Sequence, residues 1–190
     1  MEEVIAYLGL GSNLGRRETN LEAAIGQLSQ SSNTESGYIQ CGQTQSKTDL
    51  SINILRLSSI YETAPWGLKD QPDFLNCVLE VETPLTPSAL LELAKRVEDI
   101  LGRQPETRYG PRLIDVDILF YGKLMVEQPG LQIPHPRLHL RAFALVPLAE
   151  LVPAFIHPVL NVSVAQLARE CDNREGVRIW GPPSSIINAE

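Results

Sequence analysis

Eight consecutive residues, Arg112-Leu113-Ile114-Asp115-Val116-Asp117-Ile118-Leu119, constrain the fold more than any other part of this chain. Side chains alternate faces along an extended strand, so Ile114, Val116 and Ile118 share one face and Asp115 and Asp117 the other. Pro111 just ahead and the aliphatic run through the segment argue for a central strand. Two carboxylates on such a strand repel each other and lose hydration. A divalent cation relieves both costs, and Mg²⁺ favours one or two carboxylates completed by water and substrate phosphates. The plainer alternative is a wet sheet face on which both acids meet solvent.

The neighbouring segments show what this strand joins. Val4–Leu10 reads as a first strand, followed by a loop through Gly11, Ser12, Asn13 and Gly15. Thr19 to Glu22 has the pattern of a capping box, with Leu21, Ala24, Ile25 and Leu28 at helical spacing behind it. Asn53–Thr63 is a second strand with Leu55, Leu57 and Tyr61 on one face. Phe74–Thr83 is a third; Leu75, Cys77, Leu79 and Val81 alternate with Phe74, Asn76, Val78, Glu80 and Glu82. Thr86 and Pro87 open a helix that buries Leu90, Ala94, Val97 and Leu101 and stops at Gly102. Leu113–Tyr121 is the fourth strand, with a short return strand at Leu124–Val126. Short helical pieces follow, including Val164–Ala168, then a strand at Val177–Trp180. The order strand, helix, strand, strand, helix, strand is that of a ferredoxin-like α+β sandwich, βαββαβ, here with C-terminal short helices and an appended strand. Two helices on one sheet face leave the other to carry a site.

With 190 residues the chain buries a core without disulfides, and we read 1–181 as a single domain and 182–190 as a flexible tail. Ser, Thr, Gln, Asn and Gly dominate a polar loop insertion at about 32–50. Cys41, Cys77 and Cys171 are odd in number and far apart, which supports neither a zinc knuckle nor a disulfide scaffold. The acidic start lacks a signal-peptide pattern and no apolar run approaches a membrane span, so the expected location is cytoplasmic. A formal charge of -7 argues against broad nucleic-acid or membrane binding.

Against that charge, residues 101–141 hold six basic side chains and four acidic ones. Arg103, Arg108, Arg112, Lys123, Arg137 and Arg141 gathered about the aspartate pair suit a polyanionic small ligand, since guanidinium groups bind phosphate oxygens in pairs. His135 and His139 have the spacing of half a zinc motif without its glutamate, so His135 is read as a phosphate donor and His139 and His157 as structural. Gly9-Leu10-Gly11-Ser12-Asn13-Leu14 holds neither a Walker A loop nor a dinucleotide fingerprint and is read as a tight turn after the first strand, with Asn13 available as a polar contact. Phe74 beside Asn76 suits a flat heterocycle with a hydrogen-bonding edge, or ordinary packing; Trp66 and Tyr109 stand in loops able to close over it. These residues describe a Mg²⁺-dependent enzyme handling a nucleotide and a planar co-substrate, and leave the acceptor open.

Five ordered motifs narrow the choice: Gly11-Ser12-Asn13-Leu14-Gly15; Tyr61-Glu62-Thr63-Ala64-Pro65-Trp66-Gly67; Asp70-Gln71-Pro72-Asp73-Phe74-Leu75-Asn76; Arg108-Tyr109-Gly110-Pro111-Arg112 with Asp115-Val116-Asp117; and Pro134-His135-Pro136 with Arg141-Ala142-Phe143. Over about residues 4 to 160 the chain resembles the 6-hydroxymethyl-7,8-dihydropterin pyrophosphokinases of folate synthesis. The resemblance implies transfer of the pyrophosphoryl group of ATP to the hydroxymethyl oxygen of the dihydropterin, with release of AMP. It implies that Asp115 and Asp117 hold two Mg²⁺ ions, that Arg103, Arg112, His135 and Arg141 contact ATP, and that Gln71 and Glu98 lie near the nucleotide. Thr63, Pro65, Phe74, Asn76 and Phe143 match the pterin pocket, and Tyr109 a loop aromatic that closes over it.

Two departures from the family pattern stand out: the long insertion at 32–50 and a slightly short loop from Arg103 to Tyr109, where Pro105 stands near the place of a second arginine. The expected partners are the two small molecules alone, with no nucleic acid, membrane or obligate protein partner. The rival readings are a Mg²⁺-dependent nucleotidyl transferase or cyclase, which would release pyrophosphate, and a non-enzymatic ferredoxin-like RNA-binding module, which would want a basic, aromatic sheet face.

Overall fold

The computed structural model describes residues 2–30, 52–66, 70–102, 110–172 and 174–182. The insertion expected at 32–50 and residues 183–190 of the expected tail lie outside them. In chain order the elements are β1 (Val4–Ser12), α1 (Arg17–Gln30), β2 (Asn53–Leu57), β3 (Ile60–Thr63), β4 (Phe74–Thr83), α2 (Pro87–Ile100), β5 (Asp115–Tyr121), β6 (Val126–Gln128), β7 (Leu131–Ile133), α3 (Ala142–Leu151), α4 (Val164–Glu170) and β8 (Val177–Gly181). Among the described residues six strands form one sheet in the order β5-β1-β4-β3-β8, with β2 also on β4, and every pairing is antiparallel.

The alternation read in β4 sorts its side chains between two cores. Leu75, Cys77, Leu79 and Val81 join Leu8 and Leu10 of β1 and Val116 and Ile118 of β5 beneath α1 and α2. Leu21, Ala24, Ile25 and Leu28 cover that layer from α1, and Leu90, Ala94 and Val97 from α2. Burying one such leucine fully contributes about 2 kcal/mol. Thr86 caps α2, its Oγ1 accepting from Ala89 N at 3.3 Å, with Pro87 in the first turn. Gly102 ends the helix at φ +90°, a conformation other residues resist.

Several expectations are corrected. The sheet face opposite α1 and α2 is not left free: Tyr7, Val78 and Phe120 pack there against Leu145 and Leu148 of α3 and Val164 and Leu167 of α4. A β-bulge builds this second core. The register steps from Leu8↔Ile118 to Tyr7↔Phe120, so Leu119 is an extra residue and both Leu119 and Phe120 face α3. The segment Asn53–Thr63 is two strands instead of one, because Ser58 interrupts the ladder. Its N–H donates to Val78 O at 3.0 Å and its Oγ accepts from Val78 N at 2.9 Å, so a hydroxyl stands where a carbonyl would. Leu55 is exposed in consequence, while Leu57 and Ile60 both enter the first core. α1 begins before Thr19: Asn20 N already donates to Arg16 O at 2.9 Å, which places the supposed cap inside the helix. The short strand after β5 starts at Val126 and pairs with β7 as a separate hairpin. β1 runs on to Ser12, so Gly11, expected in the turn, lies within the strand together with Gly9.

Candidate active site

Among the described residues the second sheet face stays open at its end beside the start of α3, and the strand register dictates what stands there. Gly11 pairs with Asp115 on one side and Asn76 on the other; Gly9 pairs with Asp117 and Val78. The central strand thus offers two bare backbone positions between a pair of carboxylates and an amide. A Cβ on Gly11 would stand 2.8 Å from Asn76 Oδ1, and one on Gly9 3.3 Å from a Leu119 methyl. The result is an open cleft of about 890 Å³, mouth included, floored by Gly9 and Gly11. The sequence holds this signal as two glycines at the period of a strand, but the expected strand stops at Leu10, one residue short of Gly11.

Of the residues singled out from the sequence, Asp115, Asp117, Arg112, Arg141, Thr63, Trp66, Gln71, Phe74, Asn76 and Phe143 all line this cleft. Asn76 is buried at the floor and its Nδ2 donates to Thr63 Oγ1 at 2.8 Å, fixing which edge of the amide faces the cavity. Of the two lining phenylalanines, Phe74 comes from β4 and Phe143 from the first turn of α3. Three expected residues lie outside the lining. Pro65 sits half-buried between Ala64 and Trp66, which do line it. Glu98 is buried on α2, where its Oε1 accepts from Val116 N at 2.8 Å and so supports the aspartate strand from behind. His135 stands beside the cleft with Nε2 4.0 Å from Asp117 Oδ2. Arg103 and Tyr109 fall outside the described residues.

The repulsion expected between the two carboxylates is answered here by guanidinium groups. Arg112 Nη1 donates to Asp115 Oδ1 at 2.6 Å, and Arg141 Nη1 to Asp117 Oδ2 at 2.6 Å. Arg141 is further held over two rings, 5.6 Å from the centre of Trp66 and 5.4 Å from that of Phe143. Arg137 lies 5.8 Å from the same Trp66 ring. Burial pushes the His135 imidazole below its ordinary range, against the pull of Asp117. Its Nδ1 accepts from Arg137 N at 3.2 Å, which leaves Nε2 to carry the proton toward the cleft.

Asn13, which the sequence places in the loop after the first strand, joins the two segments that flank the cavity. Its Oδ1 accepts from Arg112 N, and its Nδ2 donates to Gln71 Oε1 and Pro72 O at 3.1 and 3.2 Å. Asp115 and Asp117 are hard oxygen donors, about a quarter to a third exposed. Among the described residues no three His, Cys, Asp or Glu side chains gather into a cage. A pair of carboxylates at an open, arginine-rimmed mouth fits Mg²⁺, which keeps water and phosphate oxygens in its shell.

The sequence model of the 7,8-dihydro-6-hydroxymethylpterin-pyrophosphokinase (HPPK) family matches residues 7–153. This chain belongs to that family. A Bacillus subtilis 2-amino-4-hydroxy-6-hydroxymethyldihydropteridine pyrophosphokinase is 39% identical over 182 residues, which cover 96% of this chain and 93% of that protein. An Aquifex aeolicus protein of the same name is 37% identical over 164 residues, 86% of this chain and 90% of the relative. Similarity also extends to the pea mitochondrial folate synthesis bifunctional protein, 40% identical over 151 residues that make up 80% of this chain and 25% of that one. Among solved structures, a Plasmodium falciparum HPPK-DHPS chain superposes with a TM-score of 0.63 at 17% identity. The match covers 89% of this chain and 45% of that chain, and it speaks for the HPPK fold alone.

Proposed function

We propose that this chain is an ATP- and Mg²⁺-dependent pyrophosphokinase that transfers the pyrophosphoryl group of ATP to the 6-hydroxymethyl oxygen of 6-hydroxymethyl-7,8-dihydropterin and releases AMP, a step of folate biosynthesis. Family membership sets the reaction class, and the row Asp115–Gly11–Asn76 across three adjacent strands carries the assignment of both substrates to one cleft. We read the sheet with α1 and α2 as a ferredoxin-like core, since β5-β1-β4-β2/β3 with every pair antiparallel is the order that a split βαβ pattern gives. Residues 1–181 then form one pyrophosphokinase domain.

On this reading the pterin lies over Gly11, with Phe74 and Phe143 offering ring faces and the Asn76 amide and Thr63 reading its polar edge; Pro65 backs the wall. The triphosphate lies over Asp115 and Asp117, contacted by Arg112, Arg141 and His135, with Arg103 added by its motif and Gln71 and Glu98 near the nucleotide. Trp66, and Tyr109 by its motif, cover the ligands. Mg²⁺ held by Asp115 and Asp117, two ions on our reading, would supply positive charge to the triphosphate oxygens. The hydroxymethyl oxygen attacks the β-phosphorus, and the bond from that phosphorus to the oxygen bridging it to the α-phosphorus breaks. AMP departs with the bridging oxygen, and Asp115 is placed to take the hydroxyl proton. Arg112 and Arg141, paired with the aspartates in this structure, exchange part of that pairing for phosphate oxygens and offset charge growing on them. No described helix is long and apolar enough to cross a membrane, and we place the enzyme in the cytoplasm.

Product identity tests the reading. Purified protein with Mg²⁺, ATP and the dihydropterin should yield AMP in step with a pyrophosphorylated pterin. ADP would mean simple phosphoryl transfer, and pyrophosphate would mean nucleotidyl transfer; either overturns it.

A further inference from the structure

The family match ends at residue 153, yet β8 at Val177–Gly181 pairs with β3, the strand that brings Thr63 to the cleft. The register sets Val177 opposite Thr63 and Arg178 opposite Glu62. A second connection runs through Arg17. Its Nη1 donates to the carbonyl of Asp73 at 2.6 Å, immediately before Phe74, and its Nη2 to Glu62 Oε1 at 2.9 Å. Its guanidinium lies 5.2 Å from the centre of the Trp180 ring. One arginine thus ties β8 to the residues just before Phe74 and just before Thr63, the two that begin the ring-binding wall.

The placement is unfavourable for α1 itself. Arg17 is the first residue of that helix, where the backbone dipole disfavours a cation. Its charge is turned outward to Glu62 and the Asp73 carbonyl, and the side chain is only about a fifth exposed. Trp180, by contrast, is 48% exposed and contributes little burial to either core, so its contact with Arg17 is its clearest structural role.

We propose that Trp180 and Arg17 are positioning residues for the heterocycle: β8 braces the wall at Thr63 and Phe74, so the C-terminal strand sets pterin affinity while the triphosphate side is left alone. The proposal deepens the functional reading above and rests on it.

The test uses the full chain with W180A, W180F and R17K, since Trp180 is exposed enough to be replaced without emptying a core. In W180A the KM for the dihydropterin should rise about three- to fivefold, the size of one partly exposed cation–π contact, with kcat and the KM for ATP within twofold. W180F should return to within twofold of the parent, because a ring is restored. R17K keeps the charge but loses the planar fork, and should shift the pterin KM in the same direction as W180A. Amide exchange in the unliganded protein should quicken across residues 71–75 in W180A and stay unchanged in α2. An unmoved pterin KM, an equal rise in both KM values, or unchanged exchange at 71–75 overturns the proposal. If the parent protein itself forms no AMP, the functional reading falls, and exchange at 71–75 alone then decides whether the brace exists.

Discussion

Asp117 and Gly11 make opposite demands on the cleft, one for charge and one for emptiness. Asp117→Ala removes a proposed cation ligand and leaves Arg141 without its carboxylate. We expect kcat for AMP formation to fall by about 10²–10³-fold, the scale of losing one preorganised electrostatic group, with the thermal midpoint nearly unchanged because the residue is at the open mouth. Gly11→Ala tests the floor. The added methyl would stand 2.8 Å from Asn76 Oδ1, and that amide is held by Thr63, so it can turn away only by giving up a hydrogen bond. A pterin KM about fivefold higher and about 1 kcal/mol lower stability in urea follow from one such bond. Gly9→Ala should do less, because its methyl meets a leucine side chain that can turn. The aspartate pair was legible in sequence because alternation is a strict signal. The glycine floor was not, because a residue without a side chain has no hydropathy to alternate.

At the scale of elements, the join between β2 and β3 is held from outside the sheet. Glu150, near the end of α3, accepts from Ser59 N at 3.0 Å, from Ser59 Oγ at 3.1 Å and from Tyr61 Oη at 2.9 Å. Burial, with that carboxylate second, pushes the Tyr61 phenol up to about 12. Glu150→Ala should lower unfolding free energy by about 1–2 kcal/mol, the scale of hydrogen bonds to a charged group at a partly exposed site, in a urea titration. The Tyr61 phenol should return part of the way toward 10 in an ultraviolet titration, since burial remains. This contact also shows why the strand break escaped the sequence. Asn53–Thr63 has strand composition throughout, and what divides it is a serine hydroxyl in the ladder and a carboxylate some ninety residues away. β4, α2 and its Thr86 cap were legible because their signals are local. The second core was not, because Pro-punctuated sequence after β7 gave no period from which to place α3 on the sheet.

For the molecule as a whole, that second core joins stability to the cleft, since α3 begins beside Arg141 and brings Phe143 to the wall. His157 lies at its margin, buried, its ring 5.4 Å from that of Phe120. Its Nδ1 accepts from both Val159 N and Leu160 N at 3.2 Å, a cap that only the unprotonated nitrogen can make. Burial, and then the nearby His139, push its pKa below 6.5. A histidine with a depressed folded pKa binds its proton more readily when unfolded. Its contribution is therefore complete above pH 6.5 and is lost as pH falls from there through the folded value. Urea midpoints measured from pH 7.5 down to 5 should fall along that window in the parent protein. His157→Asn keeps an oxygen able to accept from the same two amides and removes the proton site. It should start lower at pH 7.5 for want of the ring, then decline less steeply. Parallel curves would assign the acid loss to other groups, with His135, whose pKa is also lowered, the first to substitute.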